Sequence, residues 1–404
     1  MKRIIFANRY FFPDHSATSQ ILGDLAFHLA GRGNAVHVIT SRQRYDDPGA
    51  RLPETETIAG VTVHRVATTR FGRSALAGRA VDYLSFYAAV RRSILAIAKP
   101  GDILVAKTDP PLLGIVAMHA GRKRSLHLVN WLQDLYPEVA VQLGLPLSGG
   151  LVGRGLARLR DASLKAADAN VVVGSRMADR IRQRGIAPDR IHVIANWCAD
   201  DEIRPVARSD NPLRREWGLE QQFVVGYSGN LGRAHEFDTV LAAAERVGDE
   251  GTVFLMIGGG AKFEELARRV KERRLTHRFR FVSYQERPLL KYSLSVPDVH
   301  WLSLKPELEG LIVPSKFYGI AAAGRPIVAI TAPDGEIARL VQAHDCGIVI
   351  APGDAAGLAA ALTGLGGNAS ERLAIGVRAR NMLDAHFTRR QALTRWESLL
   401  TAIG

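Results

Sequence analysis

Short apolar runs alternating with stretches of helix length, twice over, constrain this chain more than any other feature of it. Residues 3–8 (RIIFAN) read as a buried strand, RYFFPDHSATSQ as a loop, 20–30 as a helix ending at Gly31-Arg32-Gly33, and 35–40 (AVHVIT) as a second strand. A helix-length crossover between apolar strands is the signature of a parallel sheet, because a tight turn cannot join parallel neighbours. Further strands are predicted near 61–66, 103–106, 126–131 and 170–173. After Asn196-Trp197-Cys198 the segment DDEIRPVARSDNPLRREWGL is polar, contains proline and lacks a sustained hydrophobic period, so it reads as an interdomain connection. A second alternation follows, with strands at 223–227, 252–257, 279–282, 327–331 and 347–350. The expected fold class is α/β, two Rossmann-like doubly wound domains over 1–203 and 204–385, with a helix over 386–404 placed to cross back. A chain of 404 residues is long enough for two cores.

The net charge of +13 is unevenly distributed. Residues 1–200 hold 27 Lys+Arg against 16 Asp+Glu, and residues 201–404 hold 26 against 24. An anionic membrane surface, a phosphorylated substrate or nucleic acid would each suit such a bias. No RNP-like, zinc-finger or helix-turn-helix signature is present, so nucleic acid is not expected and the membrane surface is preferred. Arg73, Arg79, Arg91 and Arg92 bracket Tyr83, Phe86 and Tyr87 in a helix over 74–98, which fits either an interfacial contact or a core-packed helix with a solvated basic edge. The opening MKRIIFAN has four apolar residues after its basic pair, too few for a secretory leader, and no uncharged apolar run approaches membrane-spanning length. Two cysteines, Cys198 and Cys346, stand far apart with no CxxC or Cys/His cluster. A cytoplasmic location is expected, peripheral at the inner face of the membrane.

The stretch KPELEGLIVPSKFYGIAAAGRP, 305–326, reads as a loop and helix start suited to an anion. Pro314 fits the first helical position, and Ser315, Lys316 and the free N–H groups of that turn would point outward. A simple helix start with a solvated lysine is the other reading. The turn SGNLGRAHEFD places Gly229, Asn230, Gly232 and Arg233 between a strand and a helix, where glycines admit a phosphate and Arg233 neutralises it. Both turns would lie at the carboxyl edge of one parallel sheet, where such sheets bind ligands, so one diphosphate is the simplest joint explanation. Glu309 is placed for ribose or sugar hydroxyls, or is a solvated loop carboxylate. The first loop has no GxGxxG but offers Asp14-His15-Ser16-Ala17-Thr18 to a sugar or phosphate. Asp134 and Glu138 follow an apolar strand, where one could orient or deprotonate an acceptor hydroxyl, unless Asp134 only caps a helix beside a proline. HExxH, GxSxG, Walker A and Asp-x-Asp patterns are absent, so no cofactor or metal is called for.

Taken together, FFPDHSATSQ, WLQDLYPEVAVQLG, VVVGSRM, VIANWC, YSGNLGRAHEFDTVLAAA, FLMIGGG, PSKFYGIAAAGRP and CGIVIAPGD resemble glycosyltransferase family 4, of GT-B fold, and its colanic-acid, O-antigen and capsule branch. The resemblance implies two domains facing each other across a cleft and a retaining transfer from a UDP- or GDP-sugar to a lipid-linked saccharide acceptor. It puts Gly229 to Arg233 and Pro314 to Tyr318 on the donor diphosphate, and Glu309 and Tyr284 beside the donor nucleoside or sugar. His15, Ser16 and Asp134 would line the acceptor side. Three positions depart from the family pattern. The second of its paired glutamates, the one that meets ribose, falls at Gly319; the usual arginine after the turn glycine is Asn230, with Arg233 and His235 nearest; and the usual histidine before the cleft aspartate is Gln133. Two alternatives stand beside the transferase: a nucleotide-sugar epimerase of the same architecture, and a non-catalytic partner subunit, which Gly319 favours.

Overall fold

The structure, a computed structural model, describes residues 3–14, 16–44, 47, 49–71, 76–145 and 149–404. The chain divides into two units, Met1–Ala195 with Ala392–Gly404, and Asn196–Gln391.

In the first unit the strands are β1 Ile4–Ala7, β2 Val36–Ser41, β3 Thr55–Ile58, β4 Val61–Val66, β5 Ile103–Lys107, β6 His127–Leu132, β7 Ala169–Val172 and β8 Ile191–Val193. They form one sheet in the order β3-β4-β2-β1-β5-β6-β7-β8. All pairs are parallel except β3–β4, an edge hairpin turned at Ala59 and Gly60, both at positive φ. Strand β3 (TETI) escapes the sequence reading because it is polar and half exposed, whereas the parallel strands are buried on both faces and read as apolar runs.

Side chains of β6 alternate between the two faces. Asn130 lies on one face, donating to the Ser163 carbonyl of helix Gly150–Ala166. On the other face Trp131 packs against Trp396 of helix Arg389–Ile403, ring centroids 4.5 Å apart. That closing helix therefore belongs to the first unit, where Glu397 pairs with His28 and Arg32. In helix Leu76–Ile97, Phe86, Val90 and Ile94 are fully buried in a core cluster with Ile39, Leu104 and Leu113, and Tyr87 donates to the Pro111 carbonyl. Phe86 and Tyr87 thus serve the core rather than an interface; Arg73 lies outside the described residues.

The second unit holds β9 Phe223–Asn230, β10 Thr252–Gly259, β11 Phe279–Val282, β12 Val299–Ser303, β13 Ile327–Ile330 and β14 Gly347–Ile350, all parallel, in the order β11-β10-β9-β12-β13-β14. Strand β12 is absent from the sequence reading because His300 interrupts its apolar pattern. In the fold His300 is fully buried and hydrogen-bonded to the Leu294 carbonyl, and burial lowers its pKa to about 4, so it is neutral. The segment read as a connection is packed instead. Leu213, Trp217 and Leu219 join a core cluster with Val224 and Leu255, and buried Arg214 donates to Asp298 and to the Val296 and Leu219 carbonyls. No helix among the described residues is long and apolar enough to cross a membrane.

Candidate functional site

In the second unit, β9 and β10 run side by side to their carboxyl ends, with Gly229 opposite Gly258 and Asn230 opposite Gly259. Gly229, Gly258 and Gly260 have φ of 116°, 132° and 119°. A Cβ on Gly258 would lie 2.3 Å from the Gly229 carbonyl oxygen. Only glycine fits that contact, and the result is a bare backbone edge open to close approach. Tyr284, 59% exposed, lies against Gly259 just beyond β11 and offers an unburied ring at the same edge.

Lys316 begins helix Lys316–Ala322. Pro314 lies two residues before that helix rather than in its first position, and Ser315 already has helical φ and ψ as its N-cap. The Lys316 ammonium donates to the Tyr227 hydroxyl, to His235 Nε2 at 3.1 Å and to the Asn230 carbonyl at 3.3 Å, and sits 4.2 Å from the centre of the Tyr227 ring. It is no solvated surface lysine. Its three acceptors are fixed by their other bonds: Tyr227 donates to the Asn230 carbonyl, and His235 Nδ1–H donates to the Ser303 carbonyl, which leaves Nε2 as an acceptor. Burial, then the nearby ammonium, lowers the His235 pKa to about 3, so the ring is neutral and cannot stand in for the family's arginine. Burial lowers Lys316 to about 7. The ammonium thus has neutral acceptors and, among the described residues, no ion-paired carboxylate. Arg233, exposed on the same turn, likewise has no carboxylate partner among them. Among the described residues these two cations have no carboxylate partner, and both stand beside the glycine edge, an arrangement chemically suited to an anion.

Other expected donor-side residues are placed differently. Tyr318 is fully buried, its ring against Phe317 and Phe387, so it cannot meet a ligand. Glu309 is buried, not solvated: its carboxylate accepts from the Thr331 hydroxyl and from the Glu336 N–H at a helix start. It braces the loop leading to Lys316. Gly232 lies in ordinary backbone conformation beside the Asn230 amide.

In the first unit, Asp134 follows β6 and Lys107 ends β5, both at the carboxyl edge. A cavity lined by Lys107, Asn130, Asp134 and Tyr136 lies there. Burial, then Asp109, raises Asp134 to about 6; burial lowers Lys107 to about 7. Lys107 donates to the Thr18 carbonyl at 2.8 Å and stands over the Trp131 ring. Glu138 does not face a ligand: it forms a two-pronged ion pair with Arg160, at 2.7 and 3.0 Å, and takes a third bond from Arg184. The Ser16 N–H donates to Asp14, while its hydroxyl is enclosed with no protein partner. The Gln133 amide nitrogen is enclosed in the same way. His15 lies outside the described residues.

Two family descriptions match this chain: glycosyl transferase 4-like domain over residues 17–197, and glycosyl transferases group 1 over 222–368. The probable glycosyltransferase WbjE of Pseudomonas aeruginosa is 29% identical over 264 residues, 65% of each chain. The Escherichia coli protein WcaI, named for colanic acid biosynthesis glycosyl transfer, is 25% identical over 85% of this chain and 86% of its own. The chain belongs to glycosyltransferase family 4. Solved structures agree on the GT-B fold: sucrose-phosphate synthase from Thermosynechococcus elongatus superposes with TM-score 0.81 at 17% identity, covering 100% of this chain and 99% of that one. Anabaena HepE in complex with UDP does so with TM-score 0.73 at 15%, covering 99% and 100%.

For a family 4 glycosyltransferase the sequence already exposes the lysine, the turn glycines and the aspartate. It conceals Tyr227 and Lys107. Tyr227 lies inside an apolar strand, and only its spacing two residues before Gly229 hints at the edge. Lys107 is a lone cation closing the run ILVA, and that charge was the available signal.

Proposed function

We propose that the chain transfers a sugar, with retention of anomeric configuration, from a UDP- or GDP-sugar to a lipid-linked saccharide during exopolysaccharide, capsule or O-antigen synthesis. The observation that carries this reading is the Lys316 ammonium, held by neutral acceptors beside the glycine edge and, among the described residues, lacking an ion-paired carboxylate. A departing nucleoside diphosphate gains negative charge as the bond to the anomeric carbon breaks. Lys316, Arg233 and the backbone edge at Gly229 would stabilise it from fixed positions, without a metal ion. Tyr284 offers its ring to the nucleoside base. In the first unit Asp134, with its raised pKa, would orient the acceptor hydroxyl. The leaving phosphate itself accepts that hydroxyl's proton, so no protein nucleophile is assigned.

The similar chains support the donor class. HepE has been solved with UDP-glucose, and a relative from Mycobacterium tuberculosis, 26% identical over 64% of this chain and 62% of its own, is named a GDP-mannose-dependent alpha-mannosyltransferase. A partner subunit without donor binding is the second reading, resting on Gly319. The test is release of nucleoside diphosphate from a panel of UDP- and GDP-sugars, with and without a lipid-diphosphate-linked sugar, in the presence of a chelator. Acceptor-dependent, chelator-resistant release from one donor supports the transferase. No release and no donor-induced thermal stabilisation would move the partner subunit to the front.

A further inference from the structure

Three helices of the first unit, Leu76–Ile97, Leu113–Arg124 and Gly150–Ala166, pack side by side on the Asn130 face of the sheet, the face away from Trp131 and the closing helix. Their outward surface has a one-sided charge. Arg91, Arg92, Arg122, Lys123, Arg124, Arg154, Arg158 and Lys165 are all exposed, and no acidic residue of these helices is: Asp82 is buried, and Asp161 is held by Arg160. Large apolar side chains share this outward surface, with Leu151 80% exposed, Leu84 65%, and Val81, Val152 and Leu159 about half exposed. Burying such side chains is favourable, so a cluster of them on a monomer's surface marks a contact.

We propose that this three-helix face docks on an anionic lipid bilayer, Leu84, Leu151, Val152 and Leu159 entering the headgroup boundary while the arginines meet lipid phosphates. The charge selects an anionic partner. The interleaved leucines select lipid over nucleic acid, whose phosphates would pair with the arginines and leave the leucines in water. Each helix joins two strands of the same parallel sheet, β4 to β5, β5 to β6 and β6 to β7 in turn, so it runs antiparallel to the strands and starts at their carboxyl edge. Leu151 and Val152 lie in the first turn of their helix, and Val81 and Leu84 in the second and third turns of theirs, toward the edge that also carries Lys107 and Asp134. A lipid-borne acceptor would therefore arrive at the edge where the first unit's candidate residues stand. This rests on the lipid-linked acceptor of the proposed function and moves the membrane contact expected from the sequence away from the buried aromatics of Leu76–Ile97, to the exposed stripe of that helix and its neighbours.

The test is flotation of the full chain with vesicles of phosphatidylcholine alone or mixed with about one third phosphatidylglycerol, at low and high salt. Wild type is expected to float with the anionic vesicles only, and less at high salt. Two triple variants, R91E/R122E/R158E and L84Q/L151Q/L159Q, are each expected to lose about tenfold in bound fraction. A control with the same charge change elsewhere, R51E/K271E/R395E, is expected to keep its binding. Thermal melts with UDP- and GDP-sugars, run without lipid, show that each variant is folded and report the donor reading separately, so either can fail alone. Equal flotation with both lipids, no flotation, or equal loss in the control overturns the proposal. So does unchanged flotation of the leucine variant together with tight binding of a labelled RNA oligonucleotide by wild type.

Discussion

Lys316 is the residue on which most depends, and its environment makes opposing demands on it. Enclosing an ammonium among Tyr227, His235 and the Asn230 carbonyl costs stability, which is why its pKa falls to about 7. The folded chain then binds fewer protons than the unfolded chain between pH 7 and the ordinary lysine range. The cost is full below pH 7 and relieved as pH rises. Lys316→Met should therefore melt no lower than wild type, with its advantage shrinking between pH 7 and pH 9. The same variant should lose about 10²–10³-fold in turnover if the lysine stabilises the leaving diphosphate. A variant that melts lower and turns over normally would refute both halves. Donor binding brings the missing counter-charge and raises the lysine pKa, so affinity should fall as pH climbs above 7. Calorimetry in buffers of different ionisation enthalpy should detect proton uptake; its absence at pH 8 would mean the lysine does not meet the phosphate. In the sequence Lys316 stands out because Pro-Ser precedes it and small residues follow. Its acceptors do not, since Tyr227 and His235 reach it from a strand and turn some eighty residues away.

Among the elements, those buried on both faces are legible and the rest are not. Strands such as IIFA, ILVAK and FVVGY carry continuous apolar runs, because both faces of a parallel sheet are covered. Strand β3 is polar, β8 is short and half exposed, and β12 hides behind His300. The packed segment around Arg214 looks like a linker for a related reason: its polar groups are satisfied by backbone carbonyls that periodicity cannot anticipate. The paired glycine turn gives the sharpest element-scale prediction. Gly258→Ala places a methyl against the Gly229 carbonyl at a φ that only glycine adopts freely, so it should cost about 1–3 kcal/mol in a denaturant melt and abolish donor-induced stabilisation. Gly319 is the opposite case. A Cβ there would meet only Leu294 Cδ1, at an ordinary 3.6 Å, so Gly319→Glu should fold normally. If the family's ribose-binding glutamate belongs at this position, that variant should bind its donor more tightly by titration calorimetry. Weaker binding at unchanged melting would mean this chain holds its nucleoside in another way.

For the whole molecule, chain order and structural units do not coincide. The first unit is closed by Ala392–Gly404, residues made after the entire second unit. The repeated strand-helix alternation foretells two sheets, and the last amphipathic stretch foretells a helix that crosses back, but the side chains that seat it on the first sheet are fixed by packing. Ala392, Leu393, Trp396, Leu399 and Leu400 recur at helical spacing on one buried face, and Trp396 is fully enclosed against Trp131. Its partner is a first-unit strand more than 250 residues earlier. The first unit should therefore reach full stability only after the chain end is made. Trp396→Ala removes the largest side chain of that face and should cost about 3–5 kcal/mol. A chain ending at residue 391 should leave first-unit amides, those of β6 above all, exchanging with solvent far faster than in wild type, while second-unit strands keep their protection. Hydrogen exchange read strand by strand separates these possibilities. Equal loss in both sheets would mean that the two units unfold as one, and no loss in either would mean that the first core is complete without its last helix.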